Sequence, residues 1–476
     1  MAVLALEGST SQAKAMIYDR DVVCVVEQPY PPHRREVVEL DPEAMMAALY
    51  AAGRQAVAQA GLPIEAIGLG SIWHSLLLLD EHWQPLGPIS TWANTDSAPT
   101  VAFYRARDNL REALYRRTGC MIHSMYPLWQ WRHLQEQGAD LTRVRAISSQ
   151  AQYMLACLTG AEAVSSSVAS GSGWLNLQTQ DWDEGLLQRS GLAISQMGRV
   201  CPLTQTFGLS SEAGRRLGLP SGTPVCCAGP DGALNQVGAA ALLPGRRTFS
   251  VGTSGALRQT AARPLLPEQP STWCYVIDPA RYIVGAATSG AGSCIAWFRE
   301  QVLGGCVGFD ELETALQQAN RDRAPLFLPF LFGERCPGWQ DDRTGGYIGL
   351  TGDQGLPELY YALVEGILFN LYQCDRVLDT LTGAPDMTLL TGGITHSPAW
   401  MQLAADLFGR TLSVSDQPHA STLGAVAVAR AAVGHSRGLD DVPMGPQTLV
   451  APREAPGLQT RYQRYLAAYA AQKESL

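Results

Sequence analysis

Two stretches of the chain repeat one pattern about half its length apart, and that repeat constrains the fold more than any other feature. Residues 3–19, VLALEGSTSQAKAMIYD, run from an apolar strand through a tip of Gly, Ser and Thr into a second strand. Residues 246–260, RRTFSVGTSGALRQT, do the same around Gly252-Thr253-Ser254-Gly255. Apolar runs joined by small turn residues read as β-hairpins. Two of them at this separation predict an internal duplication, with two lobes that each open on a hairpin.

Around the hairpins, strand-like and helical stretches alternate, which implies α/β layers. Residues 66–80 read as a strand, with hairpin character continuing through Gly87 to TWANTD. Residues 149–160 and 183–192 read as helices closed by glycine, and residues 223–242 as strand, turn and helix. In the second half, GSCIAWFREQVL from Gly292 and the long run from Leu356 read as helices. Pro357 stands in the first turn of the latter, where a missing N–H costs nothing. The segment from Met387 is strand, glycine turn and helix, and the tail TRYQRYLAAYAAQ is a terminal helix. No long linker intervenes, so the lobes are expected to meet along a cleft.

Composition excludes several functions. With 35 Lys+Arg against 44 Asp+Glu, the net charge of −9 argues against a nucleic-acid binder that relies on a basic face. No apolar run approaches the ~20 residues of a membrane-spanning helix, and the N-terminus enters a strand without a basic leader region. The eleven cysteines are scattered, with no CxxC pair and no zinc-like spacing. These features predict a cytoplasmic protein with reduced, buried thiols and no metal site made wholly of protein ligands.

The candidate chemistry lies at turns. Gly8–Ser11, Gly252–Gly255 and Gly392-Gly393 could each present backbone N–H groups to phosphate oxygens. Any one of them is also an ordinary hairpin tip, so they inform as a set; no GxxxxGK[ST] and no early GxGxxG is present. Glu7 and Lys14 flank the first tip and carry two readings. One is a carboxylate holding Mg²⁺ through water beside a phosphate-binding cation; the other is a solvated pair across a hairpin. Asp231, where an apolar strand meets a helix, is either the helix cap or a general base kept ionised by the helix's positive end.

In chain order, EGSTSQAK, WHS, WANTD, PDGALNQVG, SVGTSG, TSGAGSCIAWFRE, FLPFLFGERCPGW, GGYIGLTG, ALVEG, TGGITHS and STLGAVAVA resemble the FGGY carbohydrate kinase family, from about residue 3 to about residue 430. The stretch WCYVIDPARYIVGAATSGAG is most similar to the gluconate kinase and xylulokinase-like branches. The resemblance implies two actin-like (ribonuclease H-like) lobes with a cleft between them: residues 1–244 with the sugar site and first phosphate hairpin, and residues 245–476 with the nucleotide site. It implies transfer of the γ-phosphate of ATP, with Mg²⁺, to a hydroxyl of a small sugar, polyol or sugar acid. By the same resemblance Asp231 is the catalytic base, and Trp73, His74 and Asn94 join it in holding substrate. Thr10, Ser11 and Lys14 belong to the first phosphate hairpin, Gly252 and Thr253 to the second, and Gly292, Gly393 and Ser397 lie around the nucleotide. Glu7, in place of the usual Asp, holds magnesium through water.

The chain also departs from the family pattern. Ser9 replaces a usual Gly and Ile394 a frequent third Gly. Asn94 stands where a carboxylate is common and Asp96 where an arginine is. Gln130, His133, Ala151 and Ser165 replace Lys, Trp, Lys and Asp. The changes from Asn94 to Ser165 fall in the first lobe and are expected to alter the hydroxyl pattern accepted. If Asp96 and Gln130 face the pocket, they make it less hospitable to an acidic sugar. They also motivate a second reading, a catalytically weak nucleotide-binding regulatory protein on this fold, against which Asp231 stands. A third, an actin- or chaperone-like ATPase acting on proteins, is opposed by blocks such as PFLFGERCPGW. The expected partners are a sugar and ATP, neither nucleic acid nor membrane, with a homodimer expected by base rate and by the resemblance.

Overall fold

Strand β1 (Ala2–Gly8) is buried along its whole length, as a nearly unbroken apolar run requires of a strand covered on both faces. The computed structural model describes residues 2–32, 35, 37–415 and 418–474. β1 turns into β2 (Gln12–Asp19), which pairs antiparallel with it and with β3 (Asp21–Pro29). On its other side β1 runs parallel to β4 (Ile64–Ser71). With β5 (Thr206–Gly208), β6 (Pro224–Cys226) and β7 (Gly229–Pro230) they form a seven-stranded sheet in the order β5-β6-β4-β1-β2-β3, β7 lying beside β4.

The second sheet repeats this plan. β8 (Arg246–Val251) and β9 (Gly255–Ala261) form its hairpin, followed by β10 (Trp273–Asp278), β11 (Arg281–Thr288), β12 (Met387–Thr391), β13 (Leu412–Ser415) and β14 (Gln447–Val450). The order is β10-β11-β9-β8-β12-β13-β14. β8 is parallel to β12 as β1 is to β4, and β12 is parallel to β13 as β4 is to β6. The duplication expected from the two hairpins is thus present as a shared strand order.

Capping residues delimit the helices. α1 (Pro42–Ala60) begins at Asp41, whose side chain accepts the Glu43 and Ala44 N–H groups, and ends at Gly61 with φ 60°. α2 (Gln150–Thr159) is capped by Ser149 and closed by Gly160. α3 (Asp231–Gly238) follows β7 directly. α4 (Gly292–Trp297) is shorter than its sequence predicts, because the chain widens into a π turn over Phe298–Val302. α5 (Leu356–Thr382) carries Pro357 in its first turn as expected. α6 (Pro398–Phe408) follows β12 after a tight turn at Gly393–His396. α7 (Ala420–Ala432) comes from the second half of the chain but packs on α3, β1 and β4. α8 (Leu458–Glu474) is the tail helix, anchored where Arg461 meets Glu365 at 2.6 Å.

The strand expected over 66–80 stops at Ser71. The chain turns away there because His74 adopts φ 55°, outside the extended region, and the Ile72 N–H goes to the Gln150 side chain instead of a neighbouring strand. Tyr126 Oη meets Tyr275 Oη at 2.7 Å, and the Val276 N–H donates to Ser170 Oγ at 3.0 Å, both joining the two halves. Asp341 receives Arg105 (2.8 Å), His123 (2.9 Å) and Ser124 (2.7 Å) from the first half. Burial opposes its ionisation, yet His123, Ser124 and Arg105 hold it well below the usual carboxylate range. The cysteines are free and mostly buried, Cys306 being exposed. Among the described residues no helix is long and apolar enough to cross a membrane.

Candidate active site

The strand-to-helix junction at Pro230 places Asp231 as the first residue of α3. Pro230 is the N-cap and has no capping side chain, so the expectation that Asp231 caps the helix is not met. Its Oδ1 accepts the N–H of Gly232 at 2.7 Å. Burial pushes its pKa above the ordinary value; the Arg258 cation and the Gly232 and Trp73 N–H groups oppose that rise, while the Glu7 charge adds to it. The Gly232 N–H at the helix end and the Arg258 cation both favour the ionised form against burial.

Trp73 and His74 lie against the same spot. A Cβ added to Gly232 would sit 2.9 Å from the Trp73 ring and 3.3 Å from Arg258 Nε. Trp73 Nε1 donates to the Ser167 carbonyl at 3.0 Å. His74 Nδ1 is 2.7 Å from the Gly171 carbonyl, and burial drives its pKa down to about 3. The ring is thus neutral, with Nδ1 protonated and Nε2 left as an acceptor. Tyr126 and Tyr275 meet His74 edge-on at 5.1 and 5.4 Å, and Tyr275 and Trp273 approach Trp73 at 4.8 and 6.2 Å. Aromatic rings from both halves therefore wall the space beside Asp231.

Glu7, at the end of β1, is buried. It makes no solvated pair with Lys14: Lys14 Nζ is 3.3 Å from Glu27 on β3, and Glu7 accepts hydroxyl bonds from Ser421 (2.8 Å) and Thr422 in the first turn of α7. One hydroxyl per carboxylate oxygen leaves acceptor capacity on each. Among the described residues no three His, Cys, Asp or Glu side chains gather as a metal cage. That donor set fits an ion bound mainly by water and substrate phosphates, the usual state of Mg²⁺.

The first hairpin tip has a self-bonded form. Ser9 Oγ accepts the N–H groups of Ser11 (3.3 Å) and Gln12 (3.1 Å) and donates to the Gln12 carbonyl. The substitution of Ser for Gly at this position thus occupies two of the donors a phosphate could use; Thr10 lies at the tip beside them. In the second lobe the turns converge. The Gly292 N–H donates to the Gly252 carbonyl at 2.9 Å and the Ser293 N–H to the Thr253 carbonyl. A Cβ on Gly292 would meet the Gly252 oxygen at 2.4 Å, and one on Gly392 (φ 91°) the Val251 oxygen at 2.4 Å. Gly252, Thr253, Gly292 and Gly393 are brought together by this packing. Ser397 caps α6, accepting the Trp400 N–H and bonding to Glu313, so its hydroxyl is engaged within the protein.

Asn94 stands apart. It lines a cavity of about 310 Å³ with Asp96, Gln130 and His133, and that lining includes none of Trp73, His74 and Asp231. Its amide donates to Ser90 Oγ and accepts the Asp96 N–H. Asp96 spends its charge on Arg35 in two bonds of 2.9 Å, and Gln130 donates to the Thr91 and Ser124 carbonyls. Ala151 is buried in α2. Ser165 caps a short helix over Ser166–Ser170 and donates to the Ala228 carbonyl at 2.6 Å. Asp96 and Gln130 thus face the cavity that Asn94 lines, with Asp96 paired to Arg35.

Sequence reasoning missed three residues here. Gln150 Oε1 accepts the Ile72 N–H at 2.8 Å while its Nε2 lies 3.4 Å from the Ser9 carbonyl, tying the Trp73–His74 turn to the first hairpin. Arg258 donates to Ser250 at 3.1 Å and links the second hairpin to Asp231. Arg335 acts on the charge of His74 and Arg258. Arg258 lies in the second hairpin and Arg335 beside Glu334 in FLPFLFGERCPGW, two stretches the resemblance already singles out.

Two duplicated α/β lobes, with glycine turns at the hairpins and a carboxylate at a strand–helix junction, define the sugar kinase class. Residues 2–238 match the N-terminal domain of the FGGY family of carbohydrate kinases, and residues 248–433 its C-terminal domain. The chain belongs to that family, whose members use ATP as phosphate donor. It is 27% identical to the gluconokinase of Bacillus subtilis over 458 residues, covering 92% of this chain and 89% of the relative. It is 27% identical to the xylulose kinase of Escherichia coli over 411 residues, covering 84% and 82%. Among solved structures, a gluconate kinase from Lactobacillus acidophilus superposes with TM-score 0.92 at 27% identity, covering 100% of this chain and 98% of that one. A glycerol kinase of Plasmodium falciparum with ADP shares the fold at TM-score 0.86 and 18% identity, covering 100% and 99%. The protein is a carbohydrate kinase.

Proposed function

We propose that this kinase phosphorylates a hydroxyl of a small sugar, polyol or sugar acid, with Asp231 as general base. The observation that carries the reading is the position of Asp231 at the head of α3, beside Trp73 and in electrostatic reach of Arg258 and Glu7. An acceptor resting against Trp73 and the neutral His74 brings its hydroxyl to the Asp231 carboxylate. The hydroxyl oxygen attacks the γ-phosphorus, the bond to the bridging oxygen of ATP breaks, ADP leaves, and the proton passes to Asp231. The raised pKa suits that task, because a stronger base takes the proton more readily as the attack proceeds. His74 Nε2 can accept a bond from a neighbouring hydroxyl and so orient the sugar.

The residues 1–244 then supply the acceptor site and the first phosphate turn, and residues 245–476 the nucleotide turns. Gly252, Thr253, Gly292 and Gly393 would line the phosphate site, and glycine at Gly292 lets the two turns pack closely, since a Cβ there would meet the Gly252 oxygen at 2.4 Å. Thr10, Ser11 and Lys14 of the first hairpin would meet the phosphates from the other lobe. Glu7 would hold Mg²⁺ through water; when bound, the ion neutralises phosphate charge.

The test is ADP release with ATP and magnesium across ketoses, alditols and aldonates of five and six carbons. One acceptor class raising ADP release many-fold over the acceptor-free rate supports the reading. Nucleotide binding with no acceptor-stimulated release opposes it.

A further inference from the structure

The first lobe holds a concave space that the proposed reaction does not use. Leu76, Leu78, Leu86, Leu134 and Pro88 wall the cavity of about 310 Å³ that Asn94 lines. The lining includes no Trp, Tyr or Phe and none of the residues gathered at Asp231. Leu76, Asn94 and Gln130 are buried, while Gly87, Pro88 and Asp96 are exposed, so the space opens to solvent on one side. A cavity of this size, mostly apolar with a few polar groups, has the character of a small-molecule site.

Its polar groups say what would fill it. Gln130 is 5% exposed, and its Nε2 donates to the Thr91 and Ser124 carbonyls at 3.0 and 3.4 Å. Those bonds fix the amide and leave Oε1, which is buried without a partner. An unmade acceptor of this kind is costly, and a donor entering the cavity matches it. The Thr100 hydroxyl gives its hydrogen to Glu136 at 3.0 Å, so it accepts the His133 Nδ1–H at 3.1 Å. The neutral His133 ring then keeps Nε2 as a second acceptor. Asn94 has its amide engaged with Ser90 and the Asp96 N–H. Glu39 and Asp96 bring two carboxylates to a lining that has no Lys or Arg among the described residues. Arg35 pairs with both from outside that lining. Acceptors and negative charge thus stand opposite leucines. An anion is repelled there, and a sugar would leave hydroxyls against apolar walls.

We infer that this cavity is a second ligand site, separate from the acceptor site, for a small molecule with an apolar body, an N–H or O–H donor and no negative charge. The donor meets Gln130 Oε1 and the apolar body covers the leucines. The inference stands independently of the proposed reaction. The site also adjoins the contact between the two halves, because Ser124, whose carbonyl receives Gln130, donates its hydroxyl to Asp341 at 2.7 Å.

The experiment uses benzyl alcohol, benzylamine and benzoate, which share a ring and differ in the head group. Each fits, since an apolar cavity of about 150 Å³ already holds benzene. Calorimetry on the full chain is expected to give the alcohol and the amine a Kd of about 1 mM, as for fragments of this size, and benzoate a Kd at least about tenfold weaker. Gln130→Leu is expected to weaken the alcohol about fivefold, the worth of one hydrogen bond. Ser90→Phe, which fills the space beside Asn94, is expected to abolish binding of the alcohol and the amine. Saturating ATP and acceptor should leave both affinities unchanged. Binding of none of the probes overturns the inference, and so does benzoate binding as tightly as the others. Affinity that survives in both variants places the probe elsewhere and overturns it as well. Displacement by the acceptor does the same, assigning the cavity to the acceptor site. Should Ser90→Phe fail to fold, the Gln130→Leu value and the charge series decide: a fivefold loss with benzoate weak upholds the site, and no loss overturns it.

Discussion

The crossing of α3 and α7 offers a perturbation whose size can be worked from geometry. An ideal Cβ on Gly238 lies 1.8 Å from the Ala420 carbonyl oxygen and 2.8 Å from the Gly424 amide nitrogen, both backbone atoms. Ordinary contact between such atoms begins near ~3.5 Å, so in Gly238→Ala the helices must part by roughly 1.5 Å. Overpacking of this kind costs ~1–3 kcal/mol, and a backbone obstacle places it at the upper end. Replacing a helical Gly by Ala returns ~0.5–1 kcal/mol. The net expectation is a loss of ~2 kcal/mol, or a fall in Tm of ~4–8 °C for lobes of this size. The functional effect should be larger. Asp231 heads α3, about 10 Å along the axis from Gly238, and α7 carries the hydroxyls that hold Glu7. A misplacement near 1 Å costs about 10²-fold in rate. The assay is thermal unfolding together with acceptor-stimulated ADP release. Gly352→Ala is the control, since an added Cβ there meets nothing within 4 Å. If Gly238→Ala matches the control in both stability and rate, the reasoning about this crossing is wrong.

Further outcomes follow from the same structure. His74 is held near pKa 3 when folded against 6.5 for the free side chain, so the unfolded chain binds more protons between those values and stability falls as pH drops. The loss from pH 7 to pH 5 is ~2 kcal/mol, visible as a urea-midpoint shift that His74→Asn removes; a slope unchanged in that variant contradicts the assignment. Glu7→Gln leaves one of the Ser421 and Thr422 hydroxyls without an acceptor, costing ~1–3 kcal/mol, and should raise the magnesium concentration needed for half-maximal rate; an unchanged magnesium curve removes Glu7 from ion binding. Arg247→Met strands Asp375, which Arg410 alone then faces at 2.7 Å, and is expected to cost ~3–5 kcal/mol. Denaturant unfolding checks this, and a loss below ~1 kcal/mol contradicts it.

Much of the fold is legible in local pattern because its signals are local. The hairpins at residues 3–19 and 246–260, the glycine closing α2 and the proline opening α5 each depend on the conformations their own residues prefer. The outcome differs where a distant partner decides. The strand expected through residue 80 breaks at Ser71 because the Gln150 side chain takes the Ile72 N–H, a contact between residues far apart in the chain. α7 sits on the first sheet because Gly68, Gly238 and Gly424 let backbones touch, and a glycine's reason for being small is invisible in sequence. The π turn at Phe298 leaves no mark in helix propensity.

The site divides in the same way. Asp231, Trp73 and His74 were singled out by position and motif, and they gather at one place. Asn94 is grouped with them by the resemblance, and it lines a 310 Å³ cavity whose lining includes none of the three. The Arg35 ion pair of Asp96, made across the fold, leaves no mark in the local sequence. Arg258 reads in sequence as one polar residue of a strand, and its approach to Gly232 and Trp73 is a contact made only by the fold.

The most direct test of the central claim is the turnover of Asp231→Asn with the best acceptor, measured beside its affinity for ATP. The amide keeps the shape and the bond to Gly232 but cannot take a proton. A fall in kcat of about 10²–10⁴-fold with ATP affinity unchanged is the predicted result. Turnover within about tenfold of wild type would contradict the account and remove Asp231 from the role of base.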